Sequence, residues 1–329
     1  MKRRDFVTLL GGAALAAPLA ARAQQPERMR HIGMLLGGAQ SDRETQARLA
    51  AFRQALAERN WTEGRTLKTE MRWGDAEPAK ILAHAAELAA LAPDLIFGNV
   101  TPVLRALQKA TQTIPIVFAG VSDPVGDGLV ASLSRPGGNI TGFSSFDPEI
   151  GGKWLQLLKE IAPGITRVAA IYNPDTAPHS IYLPVLKAAA QLFGVTLTEA
   201  VVRDPAAIES AIAALAQTPD TGLLVMPDSF ATLYRAQIIA LAARHRVPAI
   251  YPFRYWVSDG GLVSYGTDLV DQYRRSASYV DRILRGAKPA GLPVQTPTKF
   301  VTAINLGTAK ALGIEIPLLV LARADEVIE

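Results

Sequence analysis

Tyr251-Pro252-Phe253-Arg254-Tyr255-Trp256 is the densest group of side chains suited to recognising an organic molecule, with four rings and a guanidinium in a chain only 7% aromatic. Ring faces and a planar fork of N–H donors fit a flat or carboxylated solute, which makes Tyr251 and Arg254 candidate contacts. The same segment also reads as edge packing, with Arg254 in a surface ion pair. Thr101-Pro102 has the form of a threonine cap followed by proline at the first helical position. Such a start leaves backbone N–H groups and the positive end of the helix dipole facing outward, where a carboxylate can bind. A cap with no ligand explains Thr101 equally. Val121, Ser122 and Asp123 follow a neighbouring strand, so their polar atoms converge on the same point. Asp123 or Asp228 can pair with an ammonium group, although an aspartate after a strand also serves as a helix cap.

Patterns for catalysis are missing. The chain has no G-x-S-x-G elbow, no P-loop and no G-x-G-x-x-G, and the pairs Gly37-Gly38 and Gly137-Gly138 match none of these spacings. His31, His84, His179 and His245 are scattered without metal-ligand spacing, and the absence of cysteine excludes thiolate chemistry. The expectation is a binding protein with no enzymatic activity, no cofactor and no metal.

The elements that must carry these residues alternate short apolar runs with longer amphipathic ones, the pattern of a parallel sheet covered by helices. Ile32–Leu36, Asp94–Phe97 and Ile114–Ala119 read as buried strands, with Leu49, Phe52 and Leu56 and then Leu82, Ala85 and Leu88 at helical spacing between them. The alternation restarts with Val168–Tyr172, Leu197–Val202, Leu223–Met226 and Pro248–Ile250. Open α/β sheets bind ligands beyond the carboxyl ends of their strands. Those ends hold Gly38, Thr101 and Val121–Asp123 in the first series, and Asn173, Asp228 and Tyr251–Trp256 in the second. The fold class is therefore α/β, two doubly wound parallel-sheet lobes joined by three crossovers. The turn-rich stretches 135–143, 260–266 and 288–297 mark the crossings. The expected domains are 29–142 plus 265–290 for the first lobe and 143–264 plus 291–329 for the second.

Residues 1–23 read as an export signal, with a basic start at Lys2-Arg3-Arg4, an apolar stretch from Phe6 to Ala20, and small residues before a cleavage site near Ala23. Arg3-Arg4-Asp5-Phe6 also fits the twin-arginine pattern. Cleavage removes four of the 34 basic residues and one of the 30 acidic ones, leaving a nearly neutral chain without the basic patch that nucleic-acid binding needs. No second long apolar run follows, so no stable membrane insertion of the mature chain is expected.

Five sequence pieces, in order, carry a family resemblance: Ile32-Gly33; Asp123-Pro124 with Gly128-Leu129-Val130; Pro136-Gly137-Gly138-Asn139-Ile140-Thr141-Gly142; Gly260-Gly261-Leu262-Val263-Ser264-Tyr265-Gly266; and Ile304-Asn305-Leu306 before Ala309-Lys310-Ala311-Leu312-Gly313. The chain resembles the ABC-transporter substrate-binding proteins of the tryptophan- and tyrosine-type group, over essentially all of its mature length. The resemblance implies a type I periplasmic-binding fold, a small-molecule solute enclosed between the lobes by hinge closure, and a partner permease and ATPase in the inner membrane. It implies a periplasmic location, and it places amino-acid-binding groups at Thr101 and Val121–Asp123. An exported sensory module, or a small-acid enzyme with a similar cleft, is the alternative.

Overall fold

The computed structural model describes residues 28–329 other than Phe146, Pro148 and Pro178. The expected export signal, with its twin-arginine pattern and cleavage site, lies outside the described residues. The first lobe runs β1 (Arg30–Leu36), α1 (Arg43–Ala57), β2 (Leu67–Trp73), α2 (Pro78–Ala90), β3 (Leu95–Asn99), α3 (Thr101–Ala110), β4 (Ile116–Val121) and β5 (Ile140–Ser144). Its five strands lie in the order β2-β1-β3-β4-β5, all parallel. β3 and β5 are buried along their whole length and β4 nearly so, as strands covered on both faces must be.

The second lobe runs α4 (Ile150–Ile161), β6 (Arg167–Tyr172), α5 (His179–Leu192), β7 (Thr196–Val201), α6 (Pro205–Ala216), β8 (Thr221–Val225), α7 (Ser229–Leu233), α8 (Arg235–Arg244), β9 (Ala249–Tyr251), α9 (Arg254–Ser258) and β10 (Val263–Thr267). The chain then returns to the first lobe as α10 (Leu269–Leu284), whose Tyr273, Ala277 and Val280 join the core formed by Phe52 and Phe97. It crosses back for β11 (Phe300–Asn305), α11 (Leu306–Leu312), α12 (Leu318–Leu321) and β12 (Glu326–Ile328). The second sheet has the order β12-β11-β10-β9-β8-β6-β7 and one antiparallel pair, β10 with β11. Among the described residues no helix is long and apolar enough to cross a membrane.

Several sequence expectations shift. Residues 143–144 complete β5 in the first sheet, and 265–267 complete β10 in the second. Leu292 and Val294 pack into first-lobe cores, and Gln295 hydrogen-bonds to Gly142 and Ser144 of β5. The crossings therefore fall just beyond Ser144, at Thr267–Leu269, and between Gln295 and Phe300. The glycine-rich stretches are turns that feed the crossing strands, so they precede the hinge. Strand β2 escapes the apolar pattern because it is a sheet edge with only Leu67 fully buried.

Candidate functional site

The loop and helix after β1 face the segments after β8 and β9 across an interlobe cleft, beside the crossing at Thr267. Gly266 seats the second crossing. A Cβ there would stand 1.7 Å from the carbonyl oxygen of Pro252, so only glycine lets the Pro252-Phe253 loop lie against the hinge. A tight crevice without room for a water molecule lies beside the hinge, walled by Trp154 and Ile150 of α4, Tyr182 of α5, Pro227, Phe253, and the hydroxyl-bearing Ser145 and Thr267.

Hydrogen bonds fix the orientation of these walls. Trp154 donates its indole N–H to the carbonyl of Tyr265 at 2.6 Å, and its ring meets that of Tyr182 at 5.3 Å between centroids. Tyr182 is fully buried, and the Ser122 hydroxyl of the first lobe stands near its phenol. Burial pushes the Tyr182 phenol well above its ordinary pKa, so the hydroxyl keeps its proton. Ser122 Oγ lies 3.2 Å from Ser145 Oγ, tying the first-lobe loop to the hinge.

Further contacts bridge the rim. Arg235 of α8 reaches Asp42 Oδ1 of the first lobe at 3.4 Å while holding Asp259 Oδ2 in its own lobe at 2.7 Å. Arg254 pairs with Glu326 and lies 3.7 Å from Glu44 of α1. The Tyr255 ring receives Arg48 from the first lobe at 5.2 Å and Arg235 from the second at 5.6 Å. A second space of about 200 Å3, open to solvent, lies beside these groups and shares Phe253 and Thr267 with the first.

The residues singled out from sequence divide into two groups. Gly38, Thr101, Val121, Ser122, Asp123 and Asn173 stand at the carboxyl ends of β1, β3, β4 and β6; Val121 is buried in the first-lobe core, and none of the six lines either space. The buried Asn99 carboxamide oxygen accepts the Gly37 N–H at 2.8 Å, which locks the β1 loop to the β3 loop beside Gly38 and Thr101. Thr101 differs from its expected role: it is the first helical residue, the cap is Val100 at φ 51°, and the Thr101 hydroxyl donates to Asp127 at 3.0 Å. Asp123 Oδ1 accepts the Gly126 N–H at 2.7 Å within its own turn.

The second group has structural work. Asp228 caps α7 through the Phe230 N–H and also accepts from Asn173 N–H at 2.7 Å and from the Thr176 hydroxyl. Burial raises its pKa in spite of those donors, and its oxygens are occupied, which speaks against an ammonium partner. Tyr251 is buried in the second-lobe core, stacked on Trp256 at 5.0 Å. Arg254 is the surface ion pair that the edge-packing reading describes. The residues that sequence reasoning missed are Trp154, Tyr182, Ser145, Thr267, Arg48 and Arg235. Four of them sit on amphipathic helices, where an inward aromatic or a paired cation looks like any other. Ser145 alone carried a signal, as a polar residue ending a β-like run at a crossing. Among the described residues no group of histidine, aspartate and glutamate could hold a metal.

Comparison with known proteins agrees with this architecture. The family model described as ABC transporter substrate binding protein matches residues 43–328. The tyrosine-binding protein of Clostridioides difficile is 27% identical over 264 residues, covering 80% of this chain and 76% of that one. A conserved domain protein from Vibrio cholerae superimposes with a TM-score of 0.85 at 30% identity, covering 91% of this chain and 100% of that one. A domain from Streptococcus pneumonia in complex with L-Trp gives 0.84 at 26% identity, with 91% and 99% covered. The ligand-free, open structure of a Clostridium difficile substrate-binding protein gives 0.69 at 25% identity over the same shares. A type I periplasmic-binding fold of two parallel-sheet lobes, with the family model matched over residues 43–328, places this chain in the family of ABC transporter substrate-binding proteins.

Proposed function

We propose that the cargo is an aromatic amino acid, captured in the interlobe cleft. The observation that supports this most is the wall of three rings, Trp154, Tyr182 and Phe253, beside the hydroxyls of Ser122, Ser145 and Thr267. Rings take a flat side chain by stacking and edge contacts, and the flanking hydroxyls and loop amides serve the polar head. The relatives named for tyrosine and solved with L-Trp point to the same class. In this reading the first-lobe loops at Gly38, Thr101 and Val121–Asp123, with Asn173 from the second lobe, line the polar side, and Asp123 faces the ammonium.

Binding works as a population shift, because only the closed form touches cargo with both lobes. The mature chain acts in the periplasm after removal of residues 1–23, with the twin-arginine route as its export path, and delivers cargo to an inner-membrane permease and its ATPase. It performs no chemistry on what it carries. Titration calorimetry of the mature chain with L-tyrosine and L-tryptophan tests the cargo class. Saturable binding with a negative heat-capacity change is expected for burial of a ring. No heat with either, together with binding of an aliphatic or sugar ligand, refutes it.

A further inference from the structure

We infer that Arg48 and the hydroxyl of Thr267 form the carboxylate subsite of the cleft, an inference that rests on the aromatic amino acid reading. Four charged side chains line the larger space beside the hinge: Glu44, Arg48, Arg254 and Asp268. Three are engaged by other charges. Arg254 is held by Glu326 and Glu44, and Asp268 binds Lys299 at 2.7 Å while capping α10 through the Asp271 N–H at 3.0 Å. Arg48 differs, because its Nε is buried without a hydrogen-bond partner and its guanidinium rests on the Tyr255 ring.

Thr267 is the second such group. It is 6% exposed, and its Oγ1 is buried with no partner. Buried donors are nearly always satisfied, so two in one chamber call for a common acceptor. A guanidinium fork and a hydroxyl together suit a planar anionic acceptor, and a carboxylate is the smallest organic one. Thr267 also lines the aromatic space, as does Phe253. A cargo with its ring among Trp154, Tyr182 and Phe253 would therefore present its carboxylate past Thr267 to Arg48. Arg48 belongs to the first lobe and Thr267 to the hinge, so one carboxylate would draw on both sides of the closing gap. The start of α3 is the less suitable anchor, because the Thr101 hydroxyl is already committed to Asp127.

Arg48 also supports closure through Tyr255, so the test must separate the two roles. Calorimetry compares L-tyrosine with tyramine, which lacks the carboxylate, on the wild type, Arg48→Met, Arg48→Lys and Thr267→Val. In the wild type tyramine should bind about tenfold or more weaker than tyrosine, the scale of a charge-assisted pair. Arg48→Met should weaken tyrosine about tenfold more than it weakens tyramine, with partial recovery in Arg48→Lys. Thr267→Val should give a smaller loss of about threefold, for tyrosine alone. An equal loss for both ligands assigns Arg48 to closure and overturns the subsite, as does wild-type tyrosine affinity in Arg48→Met. A wild type that binds neither L-tyrosine nor L-tryptophan refutes the cargo reading itself, and the subsite with it.

Discussion

Tyr182→Phe isolates the approach of the Tyr182 phenol to Ser122 of the first lobe. The substitution keeps the ring, and with it the 5.3 Å contact to Trp154, so packing in the second lobe is preserved. Ser122 keeps its 3.2 Å contact to Ser145 and is not left without a partner. If that approach is a hydrogen bond in the closed form, the loss is its net worth, about 0.5–1.5 kcal/mol. In the open form water takes the place of Ser122, so the whole loss falls on the closed state, the form that holds cargo. Affinity for L-tyrosine should fall by about fivefold, with a range of about two- to twelvefold. Titration calorimetry measures that change, and calorimetric melting of the ligand-free protein should show only a small shift. Unchanged affinity would refute the role given to Tyr182, because a bond that closes the lobes cannot be removed without affecting what closure encloses.

Asp228→Ala removes the acceptor of three donors, from Asn173, Thr176 and Phe230, and should destabilise the second lobe by about 2–4 kcal/mol, seen as a lowered melting temperature; an unchanged melting temperature would contradict the structural role of that carboxylate. Asp42→Asn keeps the cap on Thr45 while removing the charge facing Arg235, and this half-exposed pair should contribute about 0.5 kcal/mol to closure, a roughly twofold loss of affinity that disappears at high salt. A salt-independent loss would assign the effect to something other than the ion pair. Burial raises the phenols of Tyr182 and Tyr251, and takes Tyr172 and Tyr273 up to about 12. Each folded value lies above the unfolded one, so their contribution is complete below about pH 10 and is lost as pH rises toward 12. Tyrosinate absorbance should therefore appear together with loss of circular dichroism; titration of all four within a folded chain would show that they are not enclosed.

Six inner strands, β1, β3, β4, β6, β8 and β9, were legible because parallel strands buried on both faces leave unbroken apolar runs such as Leu95–Phe97 and Ile116–Ala119. β2 was not, since the edge sequence LKTEMRW buries little and carries no run. The positions of the site loops followed from topology alone, and Ser122, Asp123, Asn173 and Gly38 do stand at strand ends. What each side chain does there depended on neighbours far away in sequence. Asp228 has the right chemistry for an ammonium partner, but Asn173 and Thr176, more than fifty residues earlier, already use its oxygens. Tyr251 belongs to an aromatic cluster whose first ring turns into the core, leaving Phe253 for the cleft. Tyr182 and Trp154 occupy inward helical positions that any packed helix would fill with large side chains. Only the approach of the other lobe distinguishes them.

The central claim is that two lobes close over an aromatic amino acid, and small-angle X-ray scattering of the mature chain tests it most directly. With saturating L-tyrosine or L-tryptophan the radius of gyration should fall relative to the ligand-free protein, and a control amino acid that gives no heat in calorimetry should leave it unchanged. A bound ligand that leaves the scattering curve of an initially open protein unaltered would contradict the account.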